Sequence, residues 1–452
     1  MSALASNPED GVNGTESIPT TPEGFNALGC KLQAMGLVSR AISQYRKALK
    51  LTGNTHQKAN FNMAICLCEL ARRQGFDGKD SIKRAFWKKA TVHYKKVIGC
   101  ESGQEDIMIE ATSNLAVLQM NLGDLDEAHA LVRRVLEETL NVSPERRRDA
   151  RWNLNSILRR MGRKDEAIQR MRSGISAALA KSSERGHESV PCLNCDKLRE
   201  CAGQAGGGGA GRIAVVCVKW GTKYGFDYVK NLCDGVKTHL SLPHDFYCLT
   251  DDLSSLSASG SEAYDIKGIQ LETGWTGWWN KLCLFSKQST LSKLDPRTTK
   301  VLYVDLDTIV TGSLDEIGGY GGPFAILSTD GLDNEGSDFS DGYNSSIVIF
   351  DVTKPAVVDL IESTIYRPLA HHFEVTHQFV HRLDHWLEMT VLAADLLQDL
   401  FPHQILEYTH DIVNGNNGKV PGNGRIVNFP LAPKPHQICD SHRWMRKDWG
   451  MK

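Results

Sequence analysis

The sequence predicts a chain of two parts: a region of paired helices that repeats, then an α/β domain with a mainly parallel central sheet. Three observations carry this reading. Small and large apolar residues recur at fixed offsets through the N-terminal part of the chain. Beyond a Gly-rich stretch, "GQAGGGGAG", strand-like runs alternate with helical ones. One of those runs, "KVLYVDLDTIVTGSL" (Lys300 to Leu314), places two carboxylates one residue apart in an otherwise apolar strand.

Residues 1–21 are polar and rich in Pro, Ser, Thr and Gly, the composition of a mobile tail. Residues 22–182 read as helices with a repeating pattern. "ALGCKLQAMGLVSRAISQYRKAL" sets Gly29, Ala41, Tyr45 and Ala48 in a register that recurs as Ala64, Ala90, Tyr94 and Val97, with extra residues in the middle. It recurs again as Ala116, Ala128, Val132 and Val135, and as Asn155, Ala167, Met171 and Gly174. Small residues suit the close approach of two antiparallel helices, and large ones fill the gap to the next pair. In this it resembles the tetratricopeptide repeat, whose helix pairs stack into a solenoid. The units are longer than that repeat and no Pro closes them; the competing reading is an unrelated helical bundle.

Residues 183–211 change texture and read as a connector, flexible at its Gly-rich end. Cys192, Cys195 and Cys201, with His187 nearby, raise a zinc site. Their spacing lacks the paired clusters of a dependable one, which favours incidental thiols. The histidines of "LAHHFEVTHQFVH" (His371, His372, His377 and His381) are likewise too irregular for a known site.

From Arg212 onward, strands are expected at "RIAVVCVKW", "HDFYCLTDD", "VLYVDLDTIV", "FAILSTD", "NSSIVIFD", "QILEYTH" and "GRIVNFP". Helices are expected at "GFDYVKNLCDGVKTHL", "GWWNKLCLFSKQSTL", Ala356–Tyr366 and His381–Leu400. Such alternation implies a mainly parallel sheet covered by helices, with ligands beyond the carboxyl ends of its strands. An ionised Asp within an apolar strand is costly unless solvated or paired with a cation. Asp305 and Asp307 share one strand face, roughly 7 Å apart, so a strand end opening into a crevice suits them. Paired carboxylates there can hold a divalent cation against a diphosphate.

From "VLYVDLDTIV" through "GYNSSIVIFD" to "VNFPLAPKPH", residues 212–440 resemble the GT-A glycosyltransferases, nearest to glycogenin-like family 8 enzymes. "VCVKWGTKYGFDYV", the "TDD" ending the second strand and "GWWNKLCLF" follow in that family's order. The resemblance implies a GT-A type, Rossmann-like domain over residues 212–452. It implies Asp305 and Asp307 as ligands of Mn2+ (or Mg2+) gripping a UDP-sugar. It gives Lys281 and Lys434 contacts to the donor, Lys434 to its diphosphate. Asn344 in "YNSSIVIF" and Asp384 in "HRLDHW" fall near the donor or reacting sugar. Lys219, Trp220, Gly221, Tyr224 and Asp251 fall around the nucleotide, with Trp220 or Tyr224 available to stack on the base. Asn428 stands where the family carries a metal-binding His, and an amide oxygen is a poorer ligand than imidazole; water or His436 are alternatives there.

The resemblance thus implies transfer of a sugar to a protein or glycan acceptor, with anomeric configuration retained. The helical repeats would bind the acceptor or a partner protein in their concave groove. The alternatives are an interaction scaffold with an inactive transferase-like domain, and a nucleotidyltransferase sharing the fold. The formal charge of -2 over 452 residues offers no basic footprint for nucleic acid. The N-terminus lacks a basic start followed by an apolar core, and no segment is apolar for the roughly 18 residues a membrane span needs. With twelve cysteines scattered through apolar runs, a cytoplasmic protein with reduced thiols is expected.

Overall fold

The computed structural model describes residues 19–73, 80–100, 103–138, 142–182, 190–202, 211–330 and 342–449. They belong to two compact units, Met1–Ile157 and Leu158–Lys452. The residues 1–18 of the expected tail, the Gly-rich 203–210 and His187 lie outside the described residues.

The first unit is helical. Its helices are α1 (Pro22–Ala34), α2 (Val38–Leu51), α3 (Gln57–Arg72), α4 (Asp80–Ile98), α5 (Glu105–Leu122), α6 (Leu125–Arg133) and α7 (Pro144–Arg160), the last running on into the second unit. Local chemistry sets their ends. Thr21 caps α1 by accepting a hydrogen bond from Gly24 N at 3.1 Å, with Pro22 in the first turn. Gly123, at φ 90°, closes α5 in the left-handed region, and the Asp124 side chain then caps α6. The residues of the repeating register are buried: Ala41, Tyr45, Ala48, Ala64, Ala90, Tyr94, Val97, Ala116, Ala128, Val132 and Val135. A Cβ on Gly29 would lie 2.4 Å from the Tyr45 ring, so only glycine permits α1 and α2 to close on each other.

The second unit begins with the end of α7 and with α8 (Lys164–Ser182). Although α8 continues the repeating register, Met171, Ile175 and Leu179 join the core of the α/β unit. Each such burial contributes about 1.5–3 kcal/mol. Within the expected connector, β1 (Leu193–Asn194) and α9 (Cys195–Ala202) bury Leu193, Cys195 and Leu198 in the same core.

The remaining strands are β2 (Arg212–Lys219), β3 (His244–Thr250), β4 (Ile266–Gln270), β5 (Thr298–Val304), β6 (Thr308–Val310), β7 (Phe324–Ser328), β8 (Tyr343–Asp351), β9 (Val391–Leu392), β10 (Asp395–Leu396), β11 (Ile405–Glu407) and β12 (Ile426–Asn428). Seven of them form the central sheet in the order β10-β7-β8-β5-β2-β3-β4. It is mixed and largely parallel: β5, β2, β3 and β4 run together, and β8 is antiparallel to both β5 and β7. Alternate residues of each central strand feed two cores. Ile213, Val215 and Cys217 of β2 go to one face, Ala214, Val216 and Val218 to the other. A second sheet, β11-β12-β6, stands beside the first.

Two expected helices differ in detail. "GWWNKLCLF" is a 3-10 helix (Gly277–Phe285) rather than an α-helix. The stretch His381–Leu400 is helical only over Leu383–Thr390 and Leu397–Leu400, with β9 and β10 between. Pairing of β9 with β1, and of β10 with β7, outweighs helix propensity there. Among the described residues no helix is long and apolar enough to cross a membrane.

Candidate functional site

The apolar run of β5 ends at Val304, and β6 begins at Thr308 in the second sheet. Asp305, Leu306 and Asp307 are therefore the junction between two sheets. Backbone N–H of Asp305 still donates to Ser346 O at 2.8 Å, which anchors the junction to β8. Leu306 is buried, while the two acids are only partly so. The carboxylates interrupt the strand where the chain leaves one sheet and has not yet entered the next.

Each acid meets a lysine brought by a different element. Lys281 projects from the 3-10 helix whose Trp279, Leu282, Cys283, Leu284 and Phe285 are buried in the core. Its Nζ donates to Asp305 Oδ2 at 2.8 Å and lies 3.4 Å from both Ser345 O and Oγ. Lys434 stands at the N-cap of the short helix Pro435–Ile438, and its Nζ donates to Asp307 Oδ2 at 2.7 Å and to Pro430 O at 3.1 Å. Tyr224 OH donates to the same Asp307 oxygen at 2.8 Å, and Tyr303 OH donates to Asp305 Oδ1.

The electrostatics follow from burial and crowding. Burial, followed by the Tyr224–Asp307 contact, raises the Tyr224 phenol well above its usual range, so it stays a donor. Burial is also the largest influence on Asp305; with the repulsion of Asp307 it outweighs the attraction of Lys281 and pushes the carboxyl up. For Lys281, burial acts to lower the ammonium, but Asp305, Asp384 and Asp307 together overcome it and raise it.

Asp384, in the first turn of the helix Leu383–Thr390, accepts from Ser345 N at 2.8 Å and so fixes the start of β8 beside Lys281. Asn344 is buried and turned back on the chain, its Oδ1 accepting from Ser346 N at 2.9 Å. Asn428 ends β12 and pairs in register with Thr308, one residue past Asp307. Its Oδ1 accepts from Thr308 Oγ1 at 2.8 Å, and its buried Nδ2 has no partner. The Thr308 hydroxyl can donate or accept, so the amide can turn over and present its oxygen where Nδ2 now lies.

The loop after β2 is held separately. Lys219 Nζ donates to Gly221 O at 2.6 Å, and Gly221 N donates to Asp251 Oδ2 at 2.8 Å. Gly221 sits at φ 57°, a left-handed turn that glycine adopts at no cost. Trp220 is exposed on this loop. Of these residues only Tyr224 touches the acids. Three participants escaped the sequence reading: Tyr303, Ser345 and Thr308. Tyr303 was within reach, since it precedes Asp305 by two residues on one strand face. His436 is bonded through Nδ1 to Tyr228 OH.

Among the described residues no three His, Cys, Asp or Glu side chains group as a metal site. Cys192 is exposed and Cys195 buried. No protein-family model matches the chain, and no curated protein matches it.

Proposed function

We propose that this protein is a metal-assisted glycosyltransferase that moves a sugar from a nucleotide-sugar, with uridine diphosphate as the nucleotide, to an acceptor hydroxyl. The observation that carries the proposal is the strand-end cluster of Asp305, Asp307, Asp384, Lys281 and Lys434. Three carboxylates against two ammonium groups leave this cluster one negative charge. Alone it repels a diphosphate and attracts a divalent cation; with the cation it becomes positive and suits one. Two carboxylates with substrate oxygens are a sufficient donor set for Mg2+ or Mn2+. Asp305 and Asp307 would hold the ion, Asn428 joining only if its amide turns over. Once bound, it neutralises charge on the departing diphosphate.

The remaining chemistry belongs to the chain. Lys281 and Lys434 are cations already fixed beside the acids, where added negative charge on a leaving group is stabilised without reorganisation. Asp384 holds Ser345 and Lys281 in place. Trp220 and Tyr224 border the space for the base. The helical unit would hold the acceptor or a partner protein.

Thermal unfolding with uridine diphosphate, with and without Mn2+, tests the reading. Saturation at about 100 times Kd stabilises by about 2.7 kcal/mol, and the rise should require the metal. A screen of nucleotide-sugars for Mn2+-dependent hydrolysis then identifies the donor. Release of pyrophosphate instead of sugar would indicate a nucleotidyltransferase. Absence of any shift would leave the inactive scaffold, a reading that the engagement of Asn428 by Thr308 favours.

A further inference from the structure

The helical unit carries a cavity of about 380 Å³ lined by Arg46, Leu49 and Lys50 of α2, Asn54 of the following turn, Met63 and Leu67 of α3, and Lys89 and His93 of α4. Three features set it apart. Its lining holds three cations and no carboxylate. The imbalance extends to the elements themselves: α2 has four Lys or Arg and no acid, and α4 has six and one acid, Asp80. The whole chain, by contrast, is almost neutral. Among the described residues none pairs as an ion with Arg46, Lys50 or Lys89; Lys89 lies over the Phe86 ring, 6.0 Å from its centroid.

The floor is built rather than incidental. Leu49, Met63 and Leu67 are buried and apolar. His93 is locked from beneath: Asn60 donates through Nδ2 to Asn54 O at 2.9 Å and to His56 O at 3.2 Å, which turns its Oδ1 toward His93 Nδ1 at 2.9 Å. That contact makes Nδ1 the donor and fixes the neutral tautomer. Burial first, then Lys96 and Arg46, lowers the imidazole to about 4, so the ring adds no charge at neutral pH.

We infer that this cavity is a docking site for an acidic segment of a partner protein, one that inserts an apolar side chain onto the Leu49–Met63–Leu67 floor and sets carboxylates against Arg46, Lys50 and Lys89. Charge complementarity selects the ligand. A nucleic acid would call for an extended basic stripe rather than one compact hollow with an apolar base. The site lies on α2, α3 and α4 alone and stands whether or not the transferase reading does.

Fluorescence anisotropy with the full-length protein and a fluorescein-labelled peptide of Glu, Asp and Leu tests it. Wild-type protein should bind, more weakly as salt rises. The variant Arg46→Ala/Lys50→Ala/Lys89→Ala should bind about tenfold more weakly, the combined loss of three partly exposed charge pairs. Removing two other cations of the same helices, as Arg40→Ala/Lys88→Ala, should change binding less than about twofold. All five residues are exposed, and helical circular dichroism confirms that the variants fold. A peptide with Gln and Asn in place of the acids should not bind. Failure of the acidic peptide to bind, equal loss in both variants, or undiminished binding of the neutral peptide would overturn the inference. So would tighter binding of a single-stranded oligonucleotide abolished by the lining variant.

Discussion

Among the described residues of Leu158–Lys452, a sealed acid–base pair can be set against two that water reaches. Arg159 and Glu388 form an ion pair in which both side chains are 2% exposed. Lys281 and Asp305 are 15% and 18% exposed, and Lys434 and Asp307 are 13% and 16%. Asp384 and Glu388 stand one turn apart on a single helix, and both fasten the start of β8, through Ser345 N and Tyr343 N at 2.8 Å each. The dry pair therefore serves geometry, since charges sealed from water exchange partners only at great cost. The partly wet pairs can exchange theirs, because a ligand that brings its own charges replaces a neighbour already in contact with solvent. Similar chemistry at different burial gives a clamp in one place and, on the proposed function, a binding site in the other.

Breaking the clamp should produce the largest effect. Glu388→Ala removes a carboxylate from beside a buried guanidinium and releases Tyr343 N, and should cost about 3–5 kcal/mol by urea unfolding. The pair Arg159→Leu/Glu388→Leu, which removes both charges, should recover most of that loss. If the single and double variants were equally destabilised, Arg159 would not depend on Glu388.

The next effect should fall on activity instead of stability. On the proposed function, Asp307→Asn removes a metal ligand and should lower sugar transfer about 10²–10³-fold. Its stability should change by less than about 1 kcal/mol, because Lys434 keeps its bond to Pro430 O. A loss of stability comparable to that of Glu388→Ala would put Asp307 with the clamp and erase the distinction.

The central strands themselves were largely legible because β2, β3, β5, β7 and β8 are buried on both faces and read as continuous apolar runs; their order in the sheet was not. The helix-pair register was legible for a similar reason: Ala and Gly at close approaches are hard to replace, as the contact of Gly29 with Tyr45 shows. Where each helix would pack was not legible. The pattern of α8 matches the earlier helices, yet its apolar face lies on the α/β core, and periodicity names a face without naming what covers it. β4, short and half exposed, gave no run to notice. In the candidate site the charged residues could be read from their motifs. Their pairing could not, because Asp305 with Lys281 and Asp307 with Lys434 span 24 and 127 positions of sequence.

The smallest expected effect is a slope, and it tests whether burial or pairing governs Asp305. Burial and Asp307 raise its carboxyl above the ordinary range despite Lys281. A carboxyl raised in the folded state binds its proton more tightly there than in the unfolded chain. Its contribution to stability is therefore full below the unfolded value, near 3.9, and is lost as pH climbs through the higher folded value. Asp305→Asn has nothing to ionise. Urea unfolding across this range should show the variant gaining on wild type as pH rises, then a constant difference. Lys281, itself raised, stays charged throughout and does not disturb the comparison. The opposite slope, wild type gaining with pH, would mean that Lys281 holds Asp305 as tightly as a clamp, and that the strand-end pair is not the exchangeable one.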